Sequence, residues 1–419
     1  MEKINLEGLD QVVYRDTLDN GLQIFLVPYT NKKNYFITYA TRYGSDVLEY
    51  KKDGKSYKPP LGIAHFLEHK MFEQEDGVDP FTFFSKSGTD SNASTSFDST
   101  QYICYGTNNF KENLRYLLSF VNQPFYTEEN VEKEKGIIAE EIKMYEDMPD
   151  FKLEMKLREA IYKNSARRID IAGTVDEINK ITKEDLYSCY NSFYIPNNMF
   201  VLVVGNFDVE SAKKVIEDEL SKKKEHALPT IIQKEEPEEI NIKEVNFKET
   251  IEVPKIALGL KVPTKKIKMS NLELDLYLNM ITTIMYGSSS EFRERVRNEK
   301  LLSGIYTEWE SIDGFKTFYL MASTTNPNKL LDEVKYELDN LVIKEETFTR
   351  IKKVWIANEV KMIDNIDATV NNLYDDVLRY NDVIPNKVEL IRTMNIKTIN
   401  ELIKKINWKN VSIVKMECK

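Results

Sequence analysis

The sequence predicts an α+β protein made of two similarly built domains, and three observations support this fold class. First, 419 residues are too many for one ordinary domain and suit two of about 200 residues each. Second, segments typical of strands and segments with helical periodicity are interspersed in both halves. Third, both halves end with a predicted helix that leads into an apolar strand, at 199–204 and at 411–416. The repeated ending indicates a duplicated domain.

The composition is that of an acidic, soluble globular protein. Lys and Arg number 58 against 68 Asp and Glu, so the formal net charge is −10. Such a chain is repelled by the phosphates of nucleic acids and by anionic lipid head groups. Apolar residues make up 42% and charged residues 30%, as in an ordinary folded domain. We therefore expect neither nucleic acid nor a membrane as a main partner.

The cellular compartment is predicted from the N-terminus and the cysteines. The first residues are polar and acidic, without the basic start and apolar core of a secretion signal. The longest clear apolar run, 199–204, is far shorter than the ~20 residues that cross a bilayer. Cys104, Cys189 and Cys418 are odd in number and widely spaced, which favours packed thiols over a disulfide framework or a thiolate metal site. We expect a cytoplasmic protein.

The first half contains recognisable secondary-structure signals. Asp19-Asn20-Gly21 between two β-rich runs predicts a hairpin, and Pro59-Pro60 suits the start of a helix. Apolar periodicity and composition predict helices at 61–72, 109–121 and 127–147 and strands at 94–105 and 199–204.

A charge-rich segment separates the predicted domains. Residues 221–250 contain runs of Lys and Glu without sustained apolar periodicity, which indicates a linker. The segment includes His226, which we interpret as a solvated residue. The N-terminal domain is then 1–220 and the C-terminal domain 251–419. In the second half we predict strands near 256–262, 305–311 and 315–322, a helix at 272–285 and further helices after them.

Two of the three histidines form a candidate metal-binding pair. His65 and His69 are four residues apart, so on a helix both imidazoles face the same side, one turn apart. Two convergent imidazoles are typical of a zinc site. Glu68 lies on the same face and could serve as general base for water at the metal. The order His-x-x-Glu-His is the inverzincin signature, the reverse of the more common zinc-protease order.

A catalytic zinc site needs a third protein ligand, which we expect to be a carboxylate. Glu134 and Glu141 are two helical turns apart and therefore share a face of the predicted helix 127–147. The spacing alone leaves Glu140 and Glu141 undecided as the ligand. The candidate glutamates of this helix are Glu132, Glu134, Glu140, Glu141 and Glu146.

Three separated blocks carry a family resemblance. They are His65-Phe-Leu-Glu-His69-Lys-Met-Phe, the Asn-Ala-containing segment 91–102, and the acidic segment 132–146. In this order they resemble the family of pitrilysin, insulin-degrading enzyme and mitochondrial processing peptidase. The similarity is greatest to its short, two-domain bacterial processing-protease-like subunits. It covers 14–208 strongly and the second half loosely.

The resemblance implies roles for individual residues. His65, His69 and Glu141 match the family's zinc ligands, one Zn²⁺ per chain, and Glu68 matches its catalytic base. Glu134 matches an acid that supports the metal site from behind. In addition, Asn92 and Ala93 match an edge-strand segment that pairs with extended substrate.

The resemblance also implies an Arg and a Tyr in the C-terminal half that reach the substrate carbonyl and the developing oxyanion. Arg297 and Tyr306 lie in the comparable place. Their separation is longer than the family pattern, and Arg293 and Arg295 compete for the role. A solvated basic helix face is the alternative interpretation.

These implications lead to a concrete expectation of fold and function. We expect two homologous α/β-roll domains, each a mainly antiparallel sheet with helices packed on one face. The leading hypothesis is a zinc metalloendopeptidase that hydrolyses peptides or small unfolded polypeptides. In the family the active site faces a chamber made by four homologous domains, so we expect a homodimer or a heterodimer with a homologous subunit. The alternatives are a non-catalytic structural or assembly subunit and a dedicated peptide-maturation protease.

Overall fold

In the computed structural model, which describes residues 1–312 and 314–419, strands and helices are interspersed along the whole chain. The strands are β1 (Glu2–Asn5), β2 (Val12–Thr17), β3 (Gln23–Pro28), β4 (Tyr35–Thr41), β5 (Tyr50–Lys52), β6 (Lys55–Tyr57), β7 (Asp90–Thr95), β8 (Thr100–Gly106), β9 (Met199–Gly205), β10 (Thr230–Ile231), β11 (Glu244–Glu249), β12 (Lys255–Pro263), β13 (Leu302–Ile312), β14 (Phe315–Thr324) and β15 (Val411–Cys418). The helices are α1 (Ile63–Met71), α2 (Pro80–Lys86), α3 (Phe110–Val121), α4 (Glu128–Glu146), α5 (Pro149–Ile161), α6 (Val175–Ile178), α7 (Lys183–Phe193), α8 (Val209–Leu220), α9 (Asn271–Tyr286), α10 (Glu291–Asn298), α11 (Pro327–Asp339), α12 (Glu345–Met362), α13 (Ile366–Tyr380), α14 (Lys387–Thr393) and α15 (Ile396–Lys405).

Two large sheets have the same internal order. The first sheet runs β1-β2-β3-β9-β4-β8-β7, and its neighbours are antiparallel except for the parallel pair β3 and β9. The second sheet runs β11-β15-β12-β14-β13, and only its first pair is parallel within the described chain. The last five strands of the first sheet therefore correspond one to one with the second sheet. This confirms the predicted α+β class with two similarly built, mainly antiparallel sheets.

The first sheet is covered on both faces. On one face, α1, α3 and α7 contribute to a core that includes Ile24 and Ile37. On the other face, α13 packs through Leu373 and Val377 against a core that includes Phe25 and Phe200. Because both faces are covered, every residue of β9 is buried. The prediction placed helices on one face only, whereas α13, which comes from the second half of the chain, covers the other face.

The second sheet repeats this arrangement. Helix α9 packs through Leu278 against one face, together with Leu258 of β12. Helix α5 packs through Leu157 against the opposite face, together with Ala257 and Val414. Helix α5 precedes all strands of this sheet in the sequence, just as α13 follows all strands of the first sheet.

The compact units are therefore discontinuous in sequence. One unit comprises 1–143, 170–233 and 359–387, and the other comprises 144–169, 234–358 and 388–419. The predicted halves, 1–220 and 251–419, follow chain order, whereas each compact unit includes a helix from the other half. The amphipathic pattern of a helix shows that one face is buried, but not which sheet buries it.

The segment 221–250, predicted as a linker, contains two strands. Strand β10 pairs with β5, and β11 pairs in parallel with β15. Val245 and Phe247 alternate with exposed polar residues along β11, so the charge-rich composition obscured a period-two pattern. His226 is exposed, as predicted.

The predicted single strand 94–105 is wrong in detail, because the segment forms a hairpin of β7 and β8. The chain turns between Ser96 and Ser99, where the Ser96 backbone N–H donates to the Ser99 carbonyl over 2.8 Å. The Ser96 hydroxyl also donates to Asp98. Short polar side chains stabilise turns in this way. Strand β7 is therefore a separate strand, at the end of the first sheet.

Two further sequence predictions concern thiols and membrane spans. Cys104 and Cys189 are free and buried, as predicted for packed thiols. In the described ranges, every helix is too short or too polar to span a bilayer.

The close approach of α5 to the second sheet predicts the effect of a methyl group at Gly259 in β12. A Cβ there would lie 2.1 Å from Ile161 Cδ1 of α5. We expect Gly259→Ala to lower the free energy of unfolding by about 1–3 kcal/mol through overpacking, measured by urea denaturation. Gly304→Ala in β13 is the matched control, since an added Cβ there has no neighbour within 4 Å. Equal stabilities of the two variants would contradict the close packing of α5.

Candidate metal centre

Helix α1 carries the histidine pair, and the chain before it is shaped to start the helix there. Gly62 precedes the first helical residue with φ of 85°, a left-handed conformation that favours glycine. A Cβ at Gly62 would also lie 2.2 Å from the Ala172 carbonyl oxygen. From this start, His65 and His69 fall one turn apart on the same side of α1, with ring centroids 4.6 Å apart.

Helix α4 brings Glu141 to both imidazoles. Glu141 Oε1 lies 3.8 Å from His65 Nε2, and Glu141 Oε2 lies 3.4 Å from His69 Nε2. One ligand atom from each of the three side chains falls within 4.8 Å of the others. Two imidazoles and one carboxylate are a typical catalytic zinc set, which leaves a fourth position for water. The residues present therefore fit a zinc ion.

The neighbouring Glu140, left open as a ligand by its spacing, points elsewhere. Its side chain is 75% exposed and pairs with Lys143 at 2.7 Å. The helical step of about 100° between adjacent residues separates the two glutamates. The structure thus brings Glu141, rather than Glu140, to the histidines.

Glu134 contacts the far side of His69. Glu134 Oε1 lies 3.0 Å from His69 Nδ1, two helical turns before Glu141 on α4. Burial alone would raise the pKa of Glu134, but His69 and the Lys70 ammonium hold this pKa below its usual value. A carboxylate at this position accepts the Nδ1–H and leaves the Nε2 lone pair directed at the ligand cluster.

The surroundings of His65 favour the neutral form of its imidazole. Burial, together with the adjacent His69, lowers the pKa of His65 to about 3. A neutral imidazole is the form that binds metals. Its Nδ1 is buried without a hydrogen-bond partner among residues 1–312 and 314–419.

Glu68 lies between the two histidines on α1 and is oriented by the first sheet. The Thr95 hydroxyl, at the end of β7, donates to Glu68 Oε2 over 2.6 Å. Burial raises the pKa of Glu68, and the Thr95 hydrogen bond opposes this increase. Thr95 therefore fixes a carboxylate placed for general-base chemistry.

Asn92 and Ala93 lie on β7, at the edge of the first sheet. Within the described chain, β7 has a hydrogen-bonded strand on one side only, β8. Side chains along β7 alternate, with Asn92 exposed and Ala93 partly buried. An edge strand offers backbone N–H and C=O groups to another extended segment.

Comparison with known proteins gives this site a family. Residues 54–175 match the family described as insulinase (peptidase family M16), and residues 180–354 match the peptidase M16 inactive domain. An uncharacterised zinc protease from Bacillus subtilis, YmfH, is 34% identical over 86% of this chain and 85% of its own length. The chain belongs to peptidase family M16. The predicted relationship to pitrilysin and its relatives is thereby confirmed.

Solved protein structures share the fold. A crystal structure described as an M16-like peptidase, from Alicyclobacillus acidocaldarius, superposes with a TM-score of 0.92 at 30% identity, covering 99% of this chain and 100% of that one. The periplasmic protease PqqL from Escherichia coli superposes with a TM-score of 0.78 at 20% identity, covering 96% of this chain and 47% of that one. This M16 chain thus spans the whole of the first chain and about half of the second.

Arg297 and Tyr306, the predicted Arg and Tyr of the M16 C-terminal half, belong to the other compact unit. Arg297 is exposed in the last turn of α10, and Tyr306 on β13 is half exposed and donates to Glu308. Burial and the Glu308 carboxylate raise the pKa of Tyr306. Of the competing arginines, Arg295 pairs with Glu333 and Glu337. The assignment of Arg297 and Tyr306 stays a prediction.

Sequence reasoning missed two residues that contact the site. Thr95 was hidden because a single strand was predicted across the turn that follows it. Lys70 contacts Glu134, and a sequence pattern could have shown that Lys70 is buried. It lies seven residues after Ile63 and three after Leu67, on the apolar stripe of α1.

The geometry predicts that Glu141, and not Glu140, determines metal binding. We expect the wild-type chain to bind one equivalent of zinc. Glu141→Gln should weaken binding by more than the roughly 10–100-fold typical of a residue outside the ligand set. Glu140→Gln should leave the dissociation constant unchanged, because that side chain faces solvent. Competition with a chromophoric chelator measures each constant, and equal weakening by both variants would refute the assignment.

Proposed function

We propose that this chain is a zinc-dependent metalloendopeptidase that hydrolyses peptides or small unfolded polypeptides. The observation that carries the proposal is the convergence of His65, His69 and Glu141 within 4.8 Å, with Glu68 beside them on α1. The naming of M16 relatives as zinc proteases supports the same chemistry. We take Glu68 as the catalytic base and Glu134 as the residue that supports His69.

The metal and the protein side chains would each supply part of the chemistry. A bound zinc ion lowers the pKa of water and polarises a carbonyl group. Glu68 removes a proton from the attacking water and later delivers it to the leaving amine. Because Thr95 engages Oε2 of Glu68, we assign proton transfer to Oε1. Glu134 keeps His69 in the tautomer that presents Nε2.

Strand β7 supplies the binding mode for substrate in this proposal. An extended peptide would add to the sheet edge at Asn92 and Ala93 through main-chain hydrogen bonds. Such bonds are available from any unfolded segment, whereas the backbone of a folded helix or sheet is already paired. The preference for peptides and unfolded polypeptides follows from this requirement.

We further propose that the active species is a dimer, formed with a second copy or with a homologous subunit. The chain corresponds to about half the length of the PqqL chain. A second subunit would complete a four-domain chamber and restrict access to flexible substrates. A dedicated role in the maturation of one peptide is a narrower form of the same proposal.

The base assignment predicts a separation of metal binding from cleavage. Glu68→Gln should reduce peptide cleavage by about 10²–10⁴-fold, because the amide cannot accept the proton, while zinc binding is retained. A mixture of unstructured synthetic peptides, analysed by mass spectrometry, measures cleavage without assuming a sequence preference. Glu140→Gln serves as control and should cleave at the wild-type rate. Wild-type cleavage by Glu68→Gln would sink the mechanism.

The dimer proposal predicts the mass of the active species. Peptidase activity should migrate with a two-chain species in size-exclusion chromatography with mass detection. If the partner is a homologous subunit, the purified chain should be inactive until that subunit is added. A monomer with full activity would contradict the proposal.

A further inference from the structure

Lys70 is a fully buried ammonium group directly behind the metal cluster. Its relative exposure is 0%, although it follows His69 immediately in the sequence. Burial of a cation is costly unless carboxylates compensate it. The Lys70 Nζ meets two: Glu73, three residues later, and Glu134 of α4, whose Oε2 lies 3.6 Å away.

The Glu134 carboxylate bridges Lys70 and a metal ligand. Its Oε2 faces Lys70 Nζ, while its Oε1 lies 3.0 Å from His69 Nδ1. On the other side of the same ring, His69 Nε2 faces Glu141. The four side chains form one continuous row: ammonium, carboxylate, imidazole, carboxylate.

The position of the Glu134 carboxylate depends on contacts at both of its oxygens. Without Lys70, Oε2 would lose its partner on α1, and the carboxylate would be free to turn away from His69. His69 Nδ1 would then lose the acceptor that fixes the tautomer presenting Nε2. Because the Lys70 side chain is fully buried, its ammonium is a fixed anchor for the carboxylate.

We propose that Lys70 is a positioning residue for the metal site, one that holds the Glu134 carboxylate against His69 Nδ1 so that His69 presents Nε2 to the metal. The inference rests on the proposed zinc site. Because Lys70 is fully buried, it acts through Glu134 rather than on substrate. Glu73, which is 41% exposed, anchors the opposite side of the ammonium and does not contact the cluster in the described residues.

A double-mutant cycle in zinc affinity tests the proposal without any assay of turnover. Lys70→Met and Glu134→Gln should each weaken zinc binding by about 10–100-fold, the range for residues behind a ligand. If Lys70 acts through Glu134, the double variant should bind within about twofold of Glu134→Gln alone. Lys70→Gln replaces Lys70→Met if the latter does not fold, as judged by thermal unfolding of the metal-free proteins.

The matched control is Glu73→Gln, which removes the other carboxylate partner of Lys70. It should leave zinc affinity and the visible absorption spectrum of the Co²⁺ form unchanged. The Co²⁺ spectrum should change in Lys70→Met and Glu134→Gln, because both disturb His69. A purely structural role for Lys70 would not alter the ligand field in this selective way.

The possible outcomes distinguish the positioning role of Lys70 from the proposed peptidase function. Wild-type zinc affinity in Lys70→Met, or additive losses in the double variant, would overturn the positioning role while leaving the peptidase proposal intact. Failure of the wild-type chain to bind zinc would overturn both.

Discussion

The packing of α1 against α4 is the contact on which the site depends. Four residues separate the histidines of α1, and seven separate Glu134 from Glu141 on α4. With a rise of 1.5 Å per residue, these spacings correspond to about 6 Å and 10.5 Å along the helices. Glu141 can therefore meet both imidazoles while Glu134 reaches the back of His69. A shift of either helix by one residue would rotate these groups by about 100° and separate them.

The electrostatics of the cluster follow from this packing. Glu68, Glu134 and Glu141 bring three carboxyl groups close to two imidazoles in a partly buried region. The three carboxyl groups have different partners. Glu141 faces the imidazole nitrogens, Glu68 accepts a hydrogen bond from Thr95, and Glu134 faces the Lys70 ammonium. Distinct environments suit chemically identical groups to different roles, here the proposed roles of ligand, base and support. A metal ion would add positive charge where the carboxylates are concentrated.

The two sheets share a topology but not a chemistry. Helix α9 comes after β12 of the second sheet, as α1 comes after the corresponding strand β4 of the first sheet. The side chains that α9 directs into the core of its unit are Tyr277, Met280 and Ile281. In the described residues, the candidate metal ligands cluster in the first unit alone. All three candidate ligands lie within 54–175, the range that matches the insulinase family, and outside 180–354, the range that matches the M16 inactive domain. The candidate site thus consists of a few side chains placed on a repeated scaffold.

Features that depend on local periodicity were predictable, and features that depend on a distant partner were not. The histidine pair follows from helical spacing, and the choice of Glu141 over Glu140 followed from the family resemblance. Thr95 was hidden by a turn within 94–105. The exchange of α5 and α13 depends on which sheet each helix meets, which no local pattern encodes. Lys70 lies between these cases. Lys70 lies on the same apolar face of α1 as Ile63, where its charge is buried. A buried charge requires a compensating partner, whereas a neutral residue at the same position would not. Its position therefore indicates a carboxylate partner, and the structure supplies two, Glu73 just after the end of α1 and Glu134 on α4.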